Sequence, residues 1–414
     1  MDMHAQLHEA GSAARYARSL TSEKKSLLIS AFADTVEQNT DDILAINKSE
    51  VDAVRTSGVD ESQLDRLTLT SDRIKAMVAS TRSIAALDDP IGEVLDSWTQ
   101  DSGINIEKIR VPLGVVAVIY ENRPNVTLDS AAIALMSGNA CVLRGSSTAR
   151  ETNKSIVAAI HAGLETLDAP TGLVTFIDDV SRDGAKELMQ SRGLIDVLIP
   201  RGGPSLISAV EEFATVPTII DGAGNCHVYV DRDADLDVAE RVVVNSKTQR
   251  TSVCNAAESL VVHVSVADEF IPRISKALGK KDVELVGDRR SVDLSDGVIA
   301  AANEDDFATE FLGLKMSVAV VDSLTDAIDW VNKHSTGHTE SIITDNPENA
   351  AAFMSGVTSA VVMHNTSTRF TDGERFGFGA EIGISTQKLH ARGPMALREL
   401  TTYQYRVSSE GATV

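Results

Sequence analysis

Aromatic side chains are scarce in this chain, at 4% of 414 residues, so a large core must be built mainly from Val, Ile, Leu and Ala. Cysteine is rarer still. Three residues, at 141, 226 and 254, make neither a disulfide framework nor metal-ligand spacing. Basic side chains are outnumbered, and the net charge of −22 argues against nucleic acid or an anionic membrane as the main partner. Residues 1–20 lack an apolar signal core, and no apolar run reaches membrane length. No low-complexity linker and no 20–50-residue repeat is visible. These absences together predict a reducing, cytoplasmic location and no membrane role.

What is present is ordinary globular material: 43% apolar and 24% charged residues, with length for two or three domains. Residues 3–83 read as helices, with Leu27, Leu28, Ala31, Phe32, Thr35 and Val36 at helical spacing after Ser22-Glu23-Lys24-Lys25. Residues 92–110, with Trp98, Ile104, Ile106 and Ile109, predict a hairpin outside the main sheet. From Val111 the rhythm becomes strand, turn, helix. Apolar strands are expected at 115–120, 140–144, 173–177, 194–199, 218–220 and 227–230, in a parallel sheet covered on both faces. A second α/β unit follows Cys254, with strands at 260–266, 317–321, 341–344 and 360–364. Residues 280–308 are acidic and poorly periodic, which predicts surface structure.

Three stretches carry chemistry. Parallel sheets bind ligands at the carboxyl ends of their strands, where helix N-termini favour anions. Two turns there combine a cation with glycine or hydroxyls: Arg144-Gly145-Ser146-Ser147 and Arg201-Gly202-Gly203. Neither is GxGxxG, and Gly222-Ala223-Gly224 lacks that motif's later spacing, so the turns suit either a phosphate-bearing ligand or ordinary turn glycines beside surface arginines. Cys254 sits in a polar helix-to-strand connection after Lys247 and Arg250. A nearby cation lowers a thiol's pKa and creates a nucleophile, whereas a free Cys is also commonly a small buried hydrophobe. Residues 367–385 are dense in Gly, Phe and Arg, a poor core and a good active-site loop.

Longer strings point further. They are Val111-Pro112-Leu113-Gly114-Val115, Tyr120-Glu121-Asn122-Arg123-Pro124-Asn125-Val126-Thr127, Leu198-Ile199-Pro200-Arg201-Gly202-Gly203, Asn225-Cys226-His227-Val228-Tyr229-Val230-Asp231, Lys247-Thr248-Gln249-Arg250 with Val253-Cys254-Asn255-Ala256, and Phe376 to Ser385 with Thr386-Gln387-Lys388-Leu389-His390-Ala391-Arg392-Gly393-Pro394-Met395. In order and spacing, over nearly the whole chain, these resemble the gamma-glutamyl phosphate reductases, a proline-biosynthesis branch of the aldehyde dehydrogenase superfamily. The resemblance implies an aldehyde dehydrogenase-like α/β fold with a Rossmann-like cofactor domain (1–96 and 111–232), a catalytic domain (233–395) and a small β oligomerisation arm (97–110 and 396–414) extending a neighbour's sheet. It implies NADPH-dependent reduction of L-glutamate 5-phosphate to the 5-semialdehyde through a thioester on Cys254. The tetrahedral oxyanions would be held by the Asn125 amide and the Cys254 backbone N–H. Arg144, Gly145, Ser146 and Ser147 would lie at the adenosine ribose, Arg201, Gly202 and Gly203 near the pyrophosphate, and Glu310 on the nicotinamide ribose. Asn125 also reads as a turn residue after Pro124, and Glu310 as a solvated helix residue.

Hydrolytic relatives place a general-base glutamate in a Glu-Leu-Gly-Gly segment, where this chain has Ile220-Asp221-Gly222-Ala223-Gly224-Asn225. Asp221 is the one carboxylate there. The missing glutamate favours acyl-phosphate reduction over oxidation to the acid. Substrate anions need cations, and Arg123, Lys247, Arg250 and Arg369 are the candidates, with Asp372 for the α-amino group. Implied partners are a homo-oligomer and a glutamate 5-kinase able to channel the unstable acyl phosphate. Two other readings stay open: a coenzyme A-acylating aldehyde dehydrogenase, and a non-catalytic protein that kept the scaffold.

Overall fold

The computed structural model describes residues 2–57 and 61–414. The chain divides into two compact units. The first comprises Met1–Ile220, Phe378–Gly383 and Met395–Val414; the second comprises Asp221–Gly377 and Ile384–Pro394.

The first unit opens with helices Met3–Ser19, Ser22–Gln38, Thr40–Thr56, Glu61–Leu67 and Ser71–Ala85. Side-chain caps start several of them: Thr21 accepts from the Lys24 amide at 3.3 Å, and Thr70 from the Arg73 amide at 3.2 Å. The helix Ser22–Gln38 buries Leu28, Ile29, Phe32, Ala33 and Val36, the helical stripe read from sequence. Behind these helices lies a four-stranded parallel sheet in the order Val174–Phe176, Ala140–Arg144, Val115–Tyr120, Val197–Arg201. Its two central strands are buried at every residue, as continuous β-branched runs predict. The strands Val94–Thr99, Asn105–Pro112 and Thr401–Ser408 form a separate antiparallel sheet. The chain's last strand therefore completes the early hairpin.

The second unit holds a seven-stranded sheet ordered Ala300–Ala301, Glu284–Gly287, Lys315–Val321, Ala257–His263, Cys226–Val230, Thr339–Ile343, Val361–His364, with its paired strands parallel. Helices Leu236–Thr248 and Val264–Gly279 cover one face, burying Val243, Phe270, Ile271 and Ile274 against Val228, Leu260 and Val318. Helices Leu324–His334 and Pro347–Gly356 cover the other, against Tyr229, Val261 and Ile342.

Three expectations change. The strand expected at 227–230 belongs to the second sheet, between Ala257–His263 and Thr339–Ile343, because an apolar run reveals a buried strand without naming its neighbours. Residues 218–220 form no strand of their own; Thr218 makes one isolated bridge to Leu198. Within 280–308, Glu284–Gly287 and Ala300–Ala301 add the outer edge of the second sheet, too short to show periodicity.

Candidate active site

In the second unit polar side chains gather near the amino ends of the strands. One rung there is polar across four strands: Glu340 pairs with His227, His227 with Ser259, and Ser259 with Ser317. The next rung runs Ser341, Val228, Leu260, Val318, and the one after it, Ile342, Tyr229, Val261, Ala319, carries no charge. Glu340 accepts from the His227 amide at 2.8 Å, from His227 Nδ1 at 3.0 Å and from Ser359 Oγ at 2.9 Å, so this buried carboxylate is fully engaged.

Cys254 lies above that edge, in a turn closed by the Ala256 amide donating to the Val253 carbonyl at 3.0 Å. The helix Leu236–Thr248 precedes it and the strand Ala257–His263 follows. Two neighbours hold its backbone. The Cys226 thiol donates to the Cys254 carbonyl at 3.2 Å. Gly224 approaches so closely that a Cβ there would lie 1.6 Å from the same oxygen, which only glycine permits. Asn255 ties the turn to the glycine-rich segment: its amide donates to the Thr371 carbonyl at 2.6 Å, and its carbonyl accepts from Thr368 Oγ1 at 2.7 Å. Cys254 itself is half-buried, whereas Cys141 and Cys226 are buried and burial pushes both of those thiols up. Accessibility therefore singles out Cys254.

Arginines gather around the thiol. Burial, then the charges of Arg375 and Arg250, pull the Arg369 guanidinium down, while Asp372 and Cys254 oppose them. Its Nε donates to Gln249 Oε1 at 2.9 Å. Arg250 and Arg375 are exposed, and the Arg375 guanidinium lies 5.7 Å from the Phe370 ring centroid. Asp372 accepts from the Glu374 and Arg375 amides at 3.1 Å each, which shapes this segment. Lys247 does not join the arginines. It is fully buried in the last turn of its helix, ion-paired to the equally buried Glu258, so its charge is neutralised inside the core. Sequence shows a cation near Cys254 in the chain; it does not show which way that cation faces.

Glu310 accepts from the Gly224 amide at 2.8 Å, and burial raises its carboxyl pKa. It is no solvated helix residue: Pro-free segment 309–314 is irregular, with Leu312 at φ +53°. Asp221, the lone carboxylate of the 220–225 segment, accepts from the Ile384 amide at 3.2 Å.

The first unit's turns are built differently. Arg144 is buried and donates from Nε to the Asp179 carbonyl at 3.1 Å and from Nη2 to the Ser181 carbonyl at 2.5 Å. It thereby braces its own turn, and burial lowers its pKa. Gly145 packs where a Cβ would meet the Asn153 amide nitrogen at 2.2 Å. The Ser146 hydroxyl donates to Asn122 Oδ1 at 3.0 Å, and Ser147 is exposed. Gly202 and Gly203 precede the helix Pro204–Phe213, while Arg201 is half-buried at the end of its strand. The Gly203 amide donates to Glu121 Oε2 at 2.8 Å, so a carboxylate stands at that helix N-terminus where a phosphate oxygen would fit. Asn125 lies exposed in the first turn of the helix Pro124–Met136, its amide donating to Asp129 at 3.1 Å, and Arg123 is that helix's N-cap residue. Glu121, Gly224, Cys226, Asn255 and Glu258 were not singled out as site residues by sequence. Only Asn255 adjoins such a residue in the chain; the other four meet theirs in the fold alone, so sequence held no signal for them.

Comparison with known proteins agrees with this construction. The profile described as "Aldehyde dehydrogenase family" matches residues 1–294. A gamma-glutamyl phosphate reductase from Thermobifida fusca is 50% identical, over 95% of this chain and 94% of its own length. Another of that name from Koribacter versatilis is 49% identical over 99% of each chain. The solved structure of gamma-glutamyl phosphate reductase from Thermotoga maritima superposes with a TM-score of 0.97 at 44% identity, covering 99% of each chain. With a half-buried cysteine among arginines, on two parallel-sheet units, this chain belongs to the aldehyde dehydrogenase family, in the branch of the gamma-glutamyl phosphate reductases.

Proposed function

We propose that this protein reduces L-glutamate 5-phosphate to L-glutamate 5-semialdehyde with NADPH, releasing phosphate, in the second step of proline biosynthesis from glutamate. The observation that carries the reading is an accessible Cys254 beside Arg250 and Arg369, in a chain half identical to named reductases of this substrate. Cys254 thiolate attacks the acyl-phosphate carbonyl carbon; the C–S bond forms, and the C–O bond breaks with its electron pair leaving on phosphate. The nicotinamide cofactor, when bound, supplies the hydride that reduces the thioester carbon. Cys254 then carries a thiohemiacetal, whose alkoxide expels the thiolate as the aldehyde forms.

Both tetrahedral species carry charge on oxygen and need preorganised donors. The Cys254 backbone N–H serves as one, and the resemblance assigns Asn125 as the other. Arg250 and Arg369 neutralise the substrate's phosphoryl and carboxylate groups, with Arg123 as a further candidate. Asp372 serves the α-amino group. For the cofactor, Glu310 holds the nicotinamide ribose. The Gly202-Gly203 turn takes a pyrophosphate oxygen, and its fit is supported by the Glu121 carboxylate bound to the Gly203 amide. Arg201 stands beside that turn. Ser146 and Ser147 are the side chains available to the adenosine ribose, with Arg144 acting through the turn it braces. The antiparallel sheet built from 94–112 and 401–408 is the arm proposed for oligomerisation, with cytoplasmic location and kinase channelling as further expectations.

The test runs the reaction backwards, since the aldehyde is easier to supply. Protein, glutamate 5-semialdehyde and NADP⁺ are mixed with and without phosphate, and absorbance of the reduced cofactor is followed. Phosphate-dependent reduction that disappears in Cys254→Ala is expected. Equal rates without phosphate would mean hydrolysis of the thioester and would overturn the reading.

A further inference from the structure

A fully buried ion pair is costly to form, because each charge must be taken out of water. Lys247 and Glu258 are both wholly inaccessible, and their position along the chain is unusual. Lys247 is in the last turn of the helix that ends at Thr248, and Glu258 is the second residue of the strand that begins at Ala257. Between them runs the whole segment that carries Cys254. The pair therefore closes the neck of that segment.

Glu258 reaches in a second direction. Its Oε1 accepts from the Leu312 amide at 3.2 Å, and Leu312 adopts φ +53°, a conformation a leucine takes only when its surroundings hold it. Two residues earlier, Glu310 accepts from the Gly224 amide at 2.8 Å, and Gly224 is pressed against the Cys254 carbonyl. Asn225 braces the same region, donating to the Phe307 and His334 carbonyls at 2.8 Å each. Lys247, Glu258, Leu312, Glu310, Gly224 and Cys254 thus form a circuit that returns to the loop where it began.

We infer that Lys247 and Glu258 are a positioning pair for the reaction, setting the Cys254 turn and the Glu310 carboxylate relative to each other through the Leu312 amide. Neither touches the reacting atoms. The inference rests on the roles given above to Cys254 and Glu310, and it explains why two charges are retained where apolar side chains would pack.

The test replaces both charges at once, Lys247→Met with Glu258→Met, because well-packed apolar residues in place of a buried ion pair commonly keep or raise stability. Thermal midpoint, steady-state kinetics in the aldehyde-to-acyl-phosphate direction, and the rate of Cys254 alkylation by iodoacetamide are compared with wild type. The midpoint is expected to hold or rise. The kcat should fall at least about tenfold, since a displacement near 1 Å costs up to roughly a hundredfold. The KM for NADP⁺ should rise at least about threefold, by an amount that disappears in a Glu310→Gln background, because both changes act through one circuit. Alkylation of Cys254 should slow as the turn leaves its arginines. Lys247→Met alone is the second variant. Its Glu258 retains the Leu312 contact as a neutral acid, so alkylation should slow while the cofactor KM stays near wild type; this arm decides if the double variant does not fold. A folded variant with wild-type kcat, KM and alkylation rate overturns the inference. An inactive wild type would instead sink the proposed reaction, and the alkylation comparison would still decide the positioning role.

Discussion

The two units share one architecture, parallel strands under helices, yet they treat polar groups in opposite ways. In the first, the central strands are buried and apolar apart from the terminal Arg144, and among its described residues the buried charged side chains are Lys25 and Arg144. In the second, Asp231, Lys247, Glu258, Glu340 and Arg369 are all buried, along with His227, His263, His334 and His338. Burying so many ionisable groups costs stability, and such concentrations occur where pKa values and geometry are set for chemistry. The first unit's candidate residues Arg144, Ser146 and Gly203 lie at strand ends and on the turns that follow. In the second, Cys226, the first residue of a sheet strand, holds the Cys254 carbonyl. The difference teaches where tolerance lies: a turn stands outside the sheet, whereas Glu340 and His227 are bonded to each other inside it.

Four changes sharpen or break that contrast. The largest effect is expected from Gly224→Ala, whose Cβ would strike the Cys254 carbonyl; kcat should fall at least about a hundredfold, read by the phosphate-dependent assay. Activity near wild type would show that the turn is not held as described. His338 comes next. It is buried with Nε2 unpartnered, and burial depresses its pKa from 6.5 to about 4, opposed by Asp221. Between those pH values the unfolded chain binds a proton that the folded one refuses. This contribution to stability is therefore present above pH 6.5 and lost as pH falls towards 4, by on the order of 3 kcal/mol. Thermal midpoints from pH 7 to pH 5 should fall less steeply in His338→Gln; parallel slopes would refute it.

Arg369→Lys removes a planar fork that already spends Nε on Gln249, and should raise the KM for phosphate about tenfold with smaller change in the cofactor KM. An unchanged phosphate KM would move that role to Arg250 or Arg123. The smallest effect is expected in the first unit. Glu121→Gln removes a carboxylate from a helix N-terminus where the proposed pyrophosphate would sit, so NADPH should bind about threefold more tightly in a fluorescence titration, about 0.7 kcal/mol. Weaker binding would mean that Glu121 holds the turn open for the cofactor and does not compete with it.

Much of this was legible in the chain. The helical stripe of 22–38, the buried strands 115–120 and 140–144, and the polar connection carrying Cys254 all follow from local periodicity. Local pattern says less about where an element ends: the helix Leu236–Thr248 runs far enough to carry Lys247 into the core. The strand 226–230 was visible as a strand and assigned to the wrong sheet, because parallel partners are distant in sequence.

By itself the sequence determined the family, the α/β class and the place of Cys254 in a helix-to-strand connection, since these rest on residue strings and on repeats of two or 3.6 residues. Only the tertiary structure decided which charges face the thiol and which are spent on one another. Lys247 and Arg250 are equivalent as cations just before a cysteine. Arg250 is exposed beside Arg369, and Lys247 is buried against Glu258, because side-chain direction is set by where a helix ends and which strand it packs upon.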